Sequence, residues 1–199
     1  VARKVSIRGT GFWGNRIHRS PVESDRLMWV QPFPEKYLTA HYGESSEYRI
    51  RNKMQPHSGT DWARPSGTPI PAIASGTIRL ISFSSVLGWC VEQTAWDYIR
   101  NKTMRIGYAH LTCDKHRDSC GGPKAGCKKP FNVKVGQKVK VGEEFGIKVG
   151  NTGSASTGSH LHATLGSRPR AIFGSTASKQ NLYCAIQEQA AFAKGQQKN

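Results

Sequence analysis

The chain has 199 residues, enough for one well-buried core and too few for two ordinary domains joined by a linker. Its 29 Lys and Arg against 13 Asp and Glu leave a formal charge of +16, a field that draws anionic partners. No run of about 18 apolar residues occurs, which excludes a helical membrane span in the chain as given, and no apolar leader of the secretory kind opens it.

The 21 glycines and 10 prolines favour turns and short strands over long helices, and the expected class is mainly β with an antiparallel sheet core. Residues 1–36 mix basic residues with Phe12, Trp13, Met28, Trp29 and Phe33 without a period of two or of 3.6, and read as a basic arm held by aromatic anchors. Residues 37–166 supply β-rich runs closed by glycine: "GTIRLISFSS", "TMRIGYAHL", "FNVKV", "KVKV", "EFGIKVG" and "HLHATLG". "VKVGQKVKVG" reads as one strand and turn repeated. Within that domain residues 112–130 are charged, nearly devoid of apolar side chains and carry three of the five cysteines, so they read as an inserted loop. Residues 167–199 form an extension with a short helix, in which Leu182, Ile186 and Ala190 share a face between Ser178 as cap and Gly195.

Three places offer nitrogen or oxygen donors of the kind a hydrolytic zinc site needs, with protein ligands at about 2.0–2.2 Å and a fourth position open. In "PHSGTDWARP", His57 and Asp61 stand four apart. The prolines and Gly59 exclude a helix there, and on a straight strand the pair would lie about 13 Å apart. A turn through Ser58, Gly59 and Thr60 must therefore fold them together. In "GNTGSASTGSHLHATLG" a loop of small residues delivers His160 and His162 to one face of a strand, roughly 6.6 Å apart along the backbone. The third place is "IGYAHLT", with His110 beside Tyr108.

Taken together, four ordered blocks over about residues 38 to 166 carry a resemblance: "HSGTDWARPSGTPIPAIASGTI", "YAHL", "VKVGQKVKVGEEFGIKVGNTG" and "STGSHLH". The chain resembles the lysostaphin-type (LytM-like) zinc metalloendopeptidases of peptidoglycan. That resemblance implies the duplicated-hybrid-motif type of β fold, with His57, Asp61 and His162 as metal ligands and His110 and His160 as catalytic histidines. It implies a metalloendopeptidase that cuts stem peptides or cross-bridges of peptidoglycan through zinc-activated water. Three departures stand out: Ala163 and Thr164 follow the His-Leu-His where the family often has an aromatic and an acidic residue, the cysteine-bearing insertion follows His110, and an assisting tyrosine could be Tyr48 or Tyr42.

Five cysteines leave at least one thiol unpaired within the chain. For the insertion two arrangements stay open, a stapling disulfide or a second, structural zinc at Cys113, His116, Cys120 and Cys127. Two rival functions are an inactive LytM-like binding or structural module, which would lack ligands that are all filled here, and a basic nucleic-acid-binding protein. No nucleic-acid motif accompanies the charge, so peptidoglycan is the expected partner, with anionic wall polymers as further targets of the same field. The expected setting is the bacterial cell wall, reached by a secreted, lysis-released or virion-associated enzyme, with a phage lysin favoured.

Overall fold

In the computed structural model, which describes residues 28–112, 132–168, 170–173 and 179–196, the β-rich runs pair into one antiparallel sheet with a small second layer. In chain order the elements are β1 (Leu38–Ala40), α1 (Glu47–Arg51), β2 (Thr60–Ala63), β3 (Pro69–Pro71), β4 (Gly76–Ser84), β5 (Gly88–Asp97), β6 (Lys102–Leu111), β7 (Lys138–Val139), β8 (Glu144–Lys148), β9 (His160–Gly166), β10 (Lys179–Gln180) and α2 (Leu182–Gln196). The main sheet runs β1-β2-β9-β6-β5-β4-β7, and β3 pairs with β8. β9 is flanked by β6 on one edge, and on the other first by β2 and then by β10.

Register decides which side chains share a face, because paired residues of an antiparallel ladder point the same way. Asp61 faces His162, which faces Ala109, so these lie on one side. Trp62 faces Leu161, and Ala163 faces Tyr108, on the other side. That second side is the core, where Trp62, Ile106, Tyr108, Leu161 and Leu165 are buried with Ile70 and Ile147 of the β3–β8 layer. Phe145 of β8 meets the Tyr108 ring edge-on, with centroids 5.6 Å apart. Trp29 and Phe33 are buried in the same cluster, and the Trp29 indole donates to the Trp96 carbonyl.

A buried polar relay ties the layers together. The Tyr108 hydroxyl donates to Gln93 Oε1 and accepts from the Ile73 amide, both at 3.0 Å, while Gln93 Nε2 donates to the Ala74 carbonyl at 2.8 Å. At the far end, Asp97 closes the β5–β6 turn by accepting from the Ile99 and Arg100 amides and from Gln189 Nε2 of α2.

The strand reading of "HLHATLG" coincides with β9. "FNVKV" differs: residues 132–134 are not strand, and "KVKV" shortens to the two residues of β7. The cause is one turn used twice. Lys134 and Lys140 each receive the amide of the residue three ahead, and that residue's side chain, Gln137 or Glu143, accepts the lysine's own amide. Gly136 and Gly142 take the positive φ, 91° and 76°, that such turns require. The helix is capped by Asn181, whose Oδ1 accepts the Cys184 amide at 3.0 Å. Its buried face is Leu182, Ala185, Ile186, Gln189 and Ala193, with Ala190 half-buried. Cys90 and Cys184 are free thiols, the first buried and the second exposed. The readings made for Phe12, Trp13, Ser178, the inserted loop, and Cys113, His116, Cys120 and Cys127 lie outside the described residues. Among the described residues no helix is long and apolar enough to cross a membrane.

The relay makes a clean test. Tyr108→Phe keeps the ring but leaves the buried Ile73 amide without its acceptor, which costs about 1–3 kcal/mol. The urea midpoint should fall with the slope unchanged; an unmoved midpoint would show that the hydroxyl contributes nothing to the fold.

Candidate metal centre

The five residues singled out by the sequence converge on the face of the sheet opposite the core. His57 sits in the extended segment before β2, anchored by a reciprocal backbone pair: its amide donates to the Glu44 carbonyl and its carbonyl accepts from Gly43. A bend at Gly59 then turns the chain into β2, so that Asp61 returns to His57. Gly59 is required at that point. A Cβ there would lie 2.5 Å from the Ala163 carbonyl and 2.7 Å from His162 Cε1, inside any tolerable contact.

Three residues bring four donor atoms together. His57 Nε2 lies 3.1 Å from Asp61 Oδ2 and 3.2 Å from His162 Nδ1, and His162 Nδ1 lies 2.8 Å from Asp61 Oδ1. His57, Asp61 and His162 are the group of His, Cys, Asp and Glu among the described residues that could hold a metal ion. Tetrahedral ligands at 2.0–2.2 Å stand about 3.3–3.6 Å from one another, so these side chains need to move apart by less than about 1 Å to take an ion. The donor chemistry fits as well. His57 Nδ1 lies 3.0 Å from the His41 carbonyl, which can only accept, so that nitrogen carries the proton and Nε2 presents a lone pair. His162 Nε2 is buried without a hydrogen-bond partner among the described residues, while Nδ1 is turned to the other two donors.

His110 and His160 stand beside this group. Their ring centroids are 4.7 Å apart, and His110 is 5.8 Å from the His162 ring. Each has Nδ1 against a carbonyl, Thr152 for His110 at 2.8 Å and Gly158 for His160 at 2.7 Å, so both hold the proton on Nδ1 and turn Nε2 outward. His160 Nε2 lies 3.7 Å from Asp61 Oδ2. His110 reaches the site face through a backbone irregularity. The β5–β6 register shifts between Trp89 and Val91, and His110 adopts φ 56°, a left-handed conformation that non-glycine residues rarely accept.

Electrostatics follow from burial and these contacts. Burial pushes Asp61 up, but the His162 and His57 rings against its two oxygens outweigh it and hold the carboxyl well below the usual range. Burial, joined by His160 and His162, brings His110 down to about 3. Burial also lowers His162, against the raising effect of Asp61.

Of the two candidate tyrosines, Tyr42 donates its hydroxyl to the Lys179 carbonyl at 3.2 Å, and the Tyr48 side chain lies outside the description. The sequence reading passed over Thr152 and the His41 carbonyl, whose contribution is through hydrogen bonds that orient the rings. It also treated residues 150–159 as one small-residue loop, whereas Gly150 and Gly153 are packed against backbone. A Cβ on Gly150 would meet the Thr112 amide at 2.4 Å, and one on Gly153 the Gly88 amide at 2.2 Å, while Gly158 has open space.

No protein-family model matches the chain. An uncharacterized metalloprotease of Buchnera aphidicola subsp. Baizongia pistaciae is 34% identical over 142 residues, 71% of this chain and 31% of that protein. The peptidoglycan DD-endopeptidase ShyA of Vibrio cholerae is 28% identical over 159 residues, 79% of this chain and 30% of that protein. The chain thus spans about a third of the length of these curated relatives. Among solved structures, the catalytic domain of lysostaphin from Staphylococcus simulans matches with a TM-score of 0.54 and 25% identity over 75% of this chain and 91% of that one. LytU matches with a TM-score of 0.56 and 25% identity over 80% and 90%. A zinc-containing peptidase from Vibrio cholerae shares the fold at a TM-score of 0.52 and 21% identity, over 81% and 38%. In fold and in the order of its motifs, the chain is similar to the lysostaphin-type (LytM-like) metallopeptidases.

Proposed function

We propose that this chain is a zinc-dependent endopeptidase that hydrolyses peptide bonds of bacterial peptidoglycan, with His57, Asp61 and His162 as the metal ligands. The observation that carries this reading is the convergence of His57, Asp61 and His162, whose donor atoms lie 2.8–3.2 Å from one another with both imidazoles buried, beside two further histidines whose Nδ1 atoms face carbonyls. The activities of relatives support the substrate: ShyA is a peptidoglycan DD-endopeptidase, and lysostaphin is an antimicrobial peptidase. The charge of +16 supports attraction to a wall that bears anionic polymers, and so a site of action at the cell wall.

Zinc bound by these ligands would supply Lewis acidity, polarising the scissile carbonyl and making water nucleophilic near neutral pH. The chain's own residues do the rest. Asp61 remains a carboxylate and balances the charge of the cation. His110 is held neutral with its lone pair on Nε2, positioned to take a proton from the attacking water. His160 stands at the rim with Nε2 3.7 Å from Asp61 Oδ2, and from there it can hydrogen-bond the developing oxyanion or pass a proton to the leaving amine. The open side of Gly158 leaves room for an extended substrate backbone close to the loop.

Digesting purified peptidoglycan with and without a chelator, and identifying the new amino termini by mass spectrometry, tests the activity directly. New termini should appear only without chelator and return when zinc is restored; digestion that persists in chelator would overturn the metal dependence. His57→Ala or His162→Ala should lose zinc and turnover together, and either variant retaining a full equivalent of zinc would leave the ligand set. His160→Ala should keep zinc and lose turnover by about 100-fold or more.

Proton linkage gives an independent check on the metal-free protein. His110 stays neutral until about 3, whereas in the unfolded chain it takes a proton near its ordinary 6.5. Between those values the unfolded state binds more protons, so stability is full above 6.5 and declines as pH falls toward 3. Urea midpoints should trace that decline, and His110→Asn should flatten it; an identical profile in the variant would place the slope elsewhere.

A further inference from the structure

We propose that Thr152 is the positioning residue for His110: it splices the break in the β5–β6 ladder and fixes the proton on the far nitrogen of the ring. The inference rests on the reading of His110 as a group that faces the reacting bond.

The argument begins with the break. Trp89 and Leu111 are ladder partners, yet beyond them the register slips, so that Ala109 and His110 both occupy the space opposite Cys90. An extra residue in one strand is a bulge, and it leaves backbone groups that a continuous ladder would pair. Here the Thr152 hydroxyl is inserted between them. The Trp89 amide donates to Thr152 Oγ1 at 3.0 Å, and Oγ1 donates onward to the Leu111 carbonyl at 2.7 Å. One hydroxyl is both acceptor and donor, so the two strands remain joined across the gap.

The same residue acts on the ring. The Thr152 carbonyl accepts from His110 Nδ1 at 2.8 Å, which obliges Nδ1 to carry the proton and leaves the Nε2 lone pair on the side of the site. A carbonyl is present at every residue, so its position here depends on what holds Thr152 in place, and that is the hydroxyl's two bonds. Packing allows no slack. Gly88, at φ 67°, comes so close that a Cβ would fall 2.1 Å from Thr152 Oγ1, and Gly153 folds back onto the Gly88 amide. Thr152 is itself fully buried. The His110 amide is held by the Leu87 carbonyl at 2.9 Å, so ring and backbone of the strained residue are both anchored from outside the ladder.

Thr152→Val has nearly the same shape and lacks the hydroxyl, which isolates hydrogen bonding from packing. Thr152→Ser restores the hydroxyl without the methyl. With one zinc per chain confirmed in each variant, Val should lower kcat by about 10- to 100-fold with KM within about twofold, and Ser should return kcat to within about threefold of the parent. Nitrogen-15 shifts of the His110 ring supply a readout that does not depend on turnover. The parent should show the proton on Nδ1, and the Val variant a mixture of both tautomers. A Val variant with parental kcat and an unchanged tautomer would overturn the proposal, as would a Ser variant as impaired as Val. Should the Val variant shift the tautomer while His110→Ala retains full activity, Thr152 keeps its positioning role and it is the catalytic reading of His110 that fails.

Discussion

The pairing of β2 with β9 is the constraint on which the site depends. Asp61 stands directly opposite His162, and a slip of one residue would send one of them to the core face, where Trp62 and Leu161 now pack. The pairing is secured from the core side, because those two side chains are fully buried and face each other one step along the same ladder. Burial of the core thus fixes the geometry of a polar centre on the opposite face. His57 is added by the bend at Gly59, where only a residue without a side chain can cross the His162 ring.

His110 enters by another device. Regular alternation along β6 puts Ala109 on the face of His162, which would direct the next residue to the core. The bulge and the left-handed backbone at His110 turn its ring back beside His160. A non-glycine residue in that conformation costs roughly 1–3 kcal/mol, and such strain persists only where the surroundings over-determine it. The Leu87 and Thr152 carbonyls and the Thr152 hydroxyl are those surroundings.

Much of this was legible in the sequence, for reasons that can be named. β4, β6 and β9 were visible as runs of β-branched and aromatic residues bounded by turn residues, and the five site residues were visible because their chemistry and spacing recur in ordered blocks. β5 was obscured, because both its faces are buried along most of its length and alternation is lost. The doubled "VKVG" misled in proportion to its β-branched content: side-chain acceptors at Gln137 and Glu143 close turns that propensity alone reads as strand. What stayed hidden at the site were contributions made through backbone and packing. His41 acts through its carbonyl, and Gly59 and Gly153 through the absence of a side chain, features that residue type alone does not advertise.

Buried histidines, a carboxylate and a strained backbone are each unfavourable to folding, and here they are concentrated on one face. They are sustained because the opposite face is stiff. Tyr108 occupies the position next to Ala109 on β6, and its hydroxyl locks β6 to β5 through Gln93 and to the covering layer through Ile73. Its ring packs on Phe145, so the strand is held from the core immediately before the bulge that carries His110. Loosening that anchor would let the bulge relax toward regular alternation, and regular alternation removes the His110 ring from the site. The division of labour across the sheet is therefore physical rather than incidental: apolar burial and one polar relay on the core side supply the rigidity that a reactive, electrostatically costly arrangement on the other side requires.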